Sequence, residues 1–172
     1  MATVLTTTYS ADTTITMDLS ALGASATFIA GVESAQIDNA TTNKYIDAIV
    51  YGRFIVGTTP TIPCTFNVYA WGQNVSLGTT PIGVLDGTSS AESIVNSTFL
   101  GSALRLASCT SILVNTSDTT YDIAPFSVAQ LFGGIMPKFW GLYCSHNMTA
   151  ALKTDAGNTD SFRFNGITYT QT

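Results

Sequence analysis

From Lys44 to Val56 the chain alternates without interruption. Ile46, Ala48, Val50, Gly52, Phe54 and Val56 fall on one side, and every one is apolar. The other side, Tyr45, Asp47, Ile49, Tyr51, Arg53 and Ile55, is mixed. Successive side chains of a strand point to opposite faces, so a period of two marks a strand with one fully buried side, whereas a helix needs a period near 3.6. A long strand of this kind has to be covered by a second layer. Gly57 to Pro63 reads as a turn, because Pro60 and Pro63 donate no ladder hydrogen bond. Cys64 to Trp71 then alternates again, with Phe66, Val68 and Ala70 inward and Thr65, Asn67, Tyr69 and Trp71 outward. The two runs are expected to pair as antiparallel neighbours.

The rest of the chain repeats this grammar. Thr14–Leu19 alternates with Ile15, Met17 and Leu19 on one face, and a short apolar run spans Ala26–Ala30. Ala103–Asn115, Thr120–Val128, Phe139–His146 and Ser161–Thr170 are further strands, with Trp140, Leu142 and Cys144 inward on the third of them. Asn165-Gly166 predicts a bulge in the last, since the apolar parity shifts from Phe162 and Phe164 to Ile167 and Tyr169. Gly133-Gly134 predicts a tight bend. Only Ser89–Phe99 has helical character, with Ser89 or Ser90 as cap and Glu92 near the amino end. The sum is an all-β chain: a two-sheet, jelly-roll-like β-sandwich of about eight strands with at most one short helix. Residues 12–172 form a single domain and residues 1–11 an extended N-terminal arm. Ile46, Val50, Phe54, Phe66, Val68, Trp140 and Leu142 are the expected core.

Composition narrows the function. Charged residues are 10% of the chain, well below the roughly 25% of an ordinary soluble domain. Thr, Ser, Asn and Gln supply the polar surface, and little charge repulsion separates two copies. Such a surface suits burial in an assembly, so a homo-oligomer, dimer or trimer, is expected. The net charge is −5 and the six Lys and Arg residues are scattered, which argues against nucleic acid as a partner. No run approaches the ~18 apolar residues of a membrane span, and Met1–Ser10 has no signal-peptide character. Cys64, Cys109 and Cys144 lie in strand-like runs with no metal spacing and read as small buried hydrophobes. The sequons at Asn39, Asn74, Asn96, Asn115 and Asn147 follow from abundant Asn and Thr.

Chemistry-bearing patterns are sparse. His146 is the only histidine and ends a strand, with no Gly-x-Ser-x-Gly turn to supply a nucleophile. Asp118, Asp122, Asp155 and Asp160 flank turns, where Asp caps its own backbone. Asp155-Ala156-Gly157-Asn158 lacks the repeated oxygen ligands and closing Glu of a calcium loop. These patterns point to no catalytic residue, metal or cofactor, and hence to a protein that is not an enzyme. Tyr69, Trp71, Trp140 and Tyr143 could instead form a platform for a host glycan, or pack in the core. The arm offers another contact. Ala2, Thr3, Val4, Leu5, Thr6, Thr7, Thr8 and Tyr9 have no apolar periodicity but favour an extended backbone. They are expected to leave the domain and add to a sheet edge of another chain.

Two stretches carry a resemblance. Asp86-Gly87-Thr88-Ser89-Ser90-Ala91-Glu92 is one; Ala124-Pro125-Phe126-Ser127-Val128-Ala129, running into Leu131-Phe132-Gly133-Gly134-Ile135-Met136-Pro137-Lys138-Phe139-Trp140-Gly141, is the other. From Thr14 onward the chain resembles small virion-associated proteins of tailed bacteriophages, most specifically over residues 125–141. The resemblance implies a capsid decoration, or cement, protein on the capsid exterior, made in the host cytoplasm, with the major capsid protein as partner. The alternative it leaves open is a receptor- or glycan-binding head on a tail or fibre. No catalytic residue comes with it.

Overall fold

The computed structural model describes residues 5–94, 103–153 and 162–171. It is an all-β sandwich. Among the described residues twelve strands form two antiparallel six-stranded sheets.

The first sheet is built on β5 (Asp47–Val56), the strand of the long alternating run. β9 (Thr119–Ser127) pairs along one side of it and β12 (Phe162–Gln171) along the other. β11 (Leu152–Lys153) continues the β12 lane. Beyond β12, β1 (Leu5–Tyr9) and β2 (Thr13–Ile15) share the outermost lane. The second sheet runs β7 (Ser90–Ser93), β3 (Ala30–Glu33), β10 (Phe139–His146), β6 (Cys64–Gln73), β8 (Arg105–Ile112), with β4 (Ile37–Asp38) also on β10.

Side-chain parity explains the contact between the sheets. Ala48, Val50, Phe54 and Val56 from β5 meet Phe66, Val68 and Ala70 from β6 in one buried core. Phe54 stacks on Phe66 with ring centroids 4.0 Å apart, and Trp140 meets Phe164 edge-on at 5.3 Å. Each such ring removes enough apolar surface from water to contribute about 2–3 kcal/mol. β5 and β6 are therefore partners across the sandwich, and the expected hairpin does not form. The Gly57–Pro63 connection crosses between sheets, so both apolar faces are buried against each other.

Other expectations are corrected in the same terms. Ile46 is 41% exposed, because it precedes the strand and lies outside the facing layer, while Val50, Phe54, Phe66, Val68, Trp140 and Leu142 are buried. Ser90–Ser93 is strand β7, not helix; its backbone groups are taken by β3, and residues 95–99 lie outside the described set. Among the described residues a short helix is α1 (Val128–Leu131), capped by the Ser127 hydroxyl, which accepts the Gln130 N–H at 3.0 Å. It stops at Gly133 and Gly134, both with positive φ (74° and 86°).

No bulge occurs at Asn165-Gly166, for the register of β12 on β5 is continuous from Phe162↔Gly52 to Ile167↔Asp47. Gly166 keeps the inward parity of Phe162 and Phe164, and the Tyr45 ring fills the space its missing side chain leaves, 2.4 Å from where a Cβ would stand. Ile167 and Tyr169 are outward residues of an unbroken strand. The strand count exceeds eight because β1 was expected as an arm and β7 as a helix, while β4 and β11 have two residues each, too few to show a period. Cys64 and Cys144 are buried, Cys109 is exposed, and all three are free.

Leu5–Tyr9 does not leave the domain. It pairs with β12 of its own chain, Leu5↔Gln171 through Tyr9↔Ile167. Ala2, Thr3 and Val4 lie outside the described residues.

Candidate interaction surface

The outer faces of the two sheets differ. On the second sheet, Tyr69, Trp71 and Tyr143 turn away from the main core into a second one with Leu77, Leu85, Ile94 and Leu104. The excursion between β6 and β7 forms this roof, and two side chains pin it. Glu33 accepts the backbone N–H of Asp86 on Oε2 and of Gly87 on Oε1, both at 3.0 Å. Gln36 accepts the Leu77 N–H at 2.7 Å and donates to Ser76 Oγ at 3.1 Å. Burial pushes the Glu33 carboxyl up to about 7, helped by the Asp86 and Glu92 carboxylates, while the two N–H groups hold it back. Trp140 lies in the main core and Tyr69, Trp71 and Tyr143 lie under the roof, all buried. A glycan platform from these four aromatics is thereby overturned: their rings supply core area instead.

The outer face of the first sheet has no such roof among the described residues. Odd-numbered positions of β12 and β1 point outward, opposite buried Phe162 and Phe164. Leu5 (66%), Tyr9 (62%) and Tyr169 (59%) stand exposed on it. Beside them lies an open groove of about 590 Å³, lined by Ile46, Ile167, Tyr169, Ala129 and the Gly133-Gly134 turn. Ile135, at the tip of that turn, is 76% exposed. Asp47 forms the rigid wall. Its Oδ1 accepts the N–H of Ala48 at 2.7 Å and of Ala129 at 2.9 Å, and its Oδ2 accepts the Ser127 hydroxyl at 2.7 Å. Asp47→Ala leaves these donors unpaired and is expected to lower unfolding free energy by about 1–3 kcal/mol, measured by urea titration.

The groove was not legible in the sequence. In sequence Ile167 and Tyr169 look like a shift of parity, and Asp47 is one member of a mixed face. Gly133-Gly134 marks the turn at the groove. The expected arm residues Leu5, Thr6, Thr7, Thr8 and Tyr9 do reach this surface, as the outermost strand beside it.

Local ion pairs aside, the described titratable residues lie apart from one another. His146 is buried, and its Nδ1 accepts the Met148 N–H at 3.0 Å. Burial lowers its pKa to about 4, while a hydrogen bond to the Leu22 backbone acts the other way. Asp118 pairs with Lys153 at 2.6 Å and Asp122 with Arg53 at 3.5 Å, both exposed. The Asp12 carboxylate takes the Tyr51 hydroxyl and the Arg163 guanidinium, which hold its pKa below the usual range. Asp155 and Asp160 lie outside the described residues. No group of three or more His, Cys, Asp or Glu side chains among the described residues is placed to hold a metal ion. No helix among them is long and apolar enough to cross a membrane.

Comparisons with known proteins are sparse. No family model matches the chain, and no curated protein matches it. Among solved structures, a chain of the T13 IBDV viral particle aligns over 96% of this chain at 12% identity with a TM-score of 0.34. This chain spans 35% of the length of that one.

Proposed function

We propose that this protein is a bacteriophage capsid decoration protein, which binds the outer capsid lattice and stabilises the shell by bridging major capsid subunits. The observation that carries the reading is the asymmetry of the sandwich. One sheet is largely roofed and pinned by its own chain, whereas the other leaves its outer face open, with Leu5, Tyr9 and Tyr169 exposed at the uncharged β1–β12 end. A protein with 10% charged residues and such a face gains by covering it. The resemblance of residues 125–141 to virion proteins agrees, since this stretch builds α1 and the turn beside the groove. The role is adhesive: each contact is modest, and many copies on one closed lattice make the sum large. Burial takes Tyr69, Trp71, Trp140 and Tyr143 out of reach of a glycan.

Copy number on purified particles of the encoding phage tests this. Decoration predicts on the order of hundreds per particle, as lattice binding requires. A few dozen or fewer would place the protein on a tail or fibre and overturn the reading.

A further inference from the structure

We infer that two copies of this chain join through β1, edge to edge, with Thr7 of each on the two-fold axis. The inference is independent of what shell the protein covers. β5 begins at Asp47, opposite Ile167, so among the described residues β12 from Thr168 to Gln171 pairs only with β1. This part of the sheet is a two-stranded ribbon projecting past the core, and all five β1 residues are exposed on both faces. An isolated two-stranded ribbon is marginal in water, and a third strand stabilises it.

The direction of the free backbone groups is fixed. Ser10 N–H bonds to the Gly166 carbonyl at 2.7 Å, while the Ile167 carbonyl turns the other way to Ile46 N–H at 2.8 Å. By antiparallel alternation Thr6 and Thr8 exchange their bonds with β12, and Leu5, Thr7 and Tyr9 direct theirs outward. A second β1 laid antiparallel about a two-fold axis at Thr7 meets these groups with its own. Leu5 then faces Tyr9 of the second copy, Tyr9 faces Leu5, and roughly six backbone hydrogen bonds form.

A second copy is the occupant because this edge suits itself and is not defended. The strand sequence Leu-Thr-Thr-Thr-Tyr and the facing Ile-Thr-Tyr-Thr-Gln carry no charge, so nothing repels. Exposed sheet edges are normally blunted by charge, proline or a bulge. β7 has Glu92, β8 has Arg105 and a register shift, and β9 has Asp122, Pro125 and a register shift. β1 has none of these. Isologous pairing covers both free edges at once and ends there, without open growth.

Sedimentation of the full chain at micromolar concentrations, with Thr7→Lys and Thr7→Pro variants, tests the inference. Thr7→Lys sets two ammonium groups against each other across the axis, and Thr7→Pro removes an outward N–H without touching a bond to β12. The wild type is expected to be a dimer. Both variants are expected to be monomers over the same range with unchanged far-ultraviolet circular dichroism, and added salt should partly restore the lysine variant. A wild type that stays monomeric, or a dimer that survives both changes, overturns the inference. So does β1 engagement seen only when capsid is present. None of these results alters the copy number on particles, so the two ideas fail separately.

Discussion

Gly141→Ala is expected to destabilise the protein by about 3 kcal/mol, far more than one methyl group suggests. Gly141 sits on β10, opposite Trp71 of β6. A Cβ there would stand 2.5 Å from one Trp71 ring atom, 2.7 Å from another and 2.8 Å from Ser34 Oγ. Neither neighbour can retreat. Trp71 is buried under the roof, and the Ser34 hydroxyl accepts the Leu142 N–H at 2.9 Å. The variant must push the Trp71 ring toward Leu77 and Leu85, so the roof should loosen before the sandwich does. Gly78→Ala is the control, since its nearest neighbour is Ser76 Oγ at 3.8 Å. Urea titration and Trp fluorescence check both. A Gly141→Ala protein as stable as the Gly78→Ala protein would contradict the packing described.

The second large effect is on pH dependence, where two buried groups oppose each other. Burial raises the folded pKa of Glu33 from 4.5 to about 7, so the folded state holds a proton that the unfolded chain has lost between those values. Its contribution is present below pH 4.5 and is lost as pH rises to 7. Burial lowers His146 from 6.5 to about 4. In that window the unfolded chain binds the proton instead, so the His146 contribution is present above 6.5 and is lost as pH falls to 4. Each effect is about 3 kcal/mol across its window. The wild type is expected to show a shallow profile between pH 4.5 and 6.5, because the slopes cancel. Glu33→Gln unmasks the His146 slope, and stability then climbs with pH. His146→Asn keeps an acceptor for the Met148 N–H and unmasks the Glu33 slope, so stability falls with pH. Urea titrations at several pH values check the signs. Parallel profiles for all three proteins would contradict the burial of these two groups as described.

Where the sequence was readable, periodicity made it so. The faces of β5, β6 and β10 follow from strict alternation, and the Phe54–Phe66 stack joins two of them. The placement of β6 opposite β5 is not encoded locally, because a period of two says which side is buried, not whether the covering strand is beside it or across from it. Prolines between two strands fit a hairpin and a crossing equally. The roof was invisible for a related reason: Tyr69 and Trp71 look alike in sequence whether they meet water or the Leu77–Leu85 segment. The N-terminal strand was half legible. Its uncharged, extended character showed in the sequence, but it pointed to an arm leaving the domain, whereas Leu5–Tyr9 is an edge strand of its own sheet. That β12 would claim its inner edge depended on the Ile167–Gln171 register, and no local pattern shows that.

The proposed role, holding a capsid shell together, is tested most directly by the heat resistance of particles. Particles that lack the protein should release their DNA at a lower temperature than complete ones. Adding back the purified protein should restore the release temperature as its sites fill, on the order of hundreds of copies per particle. Identical release temperatures with and without the protein would contradict the account.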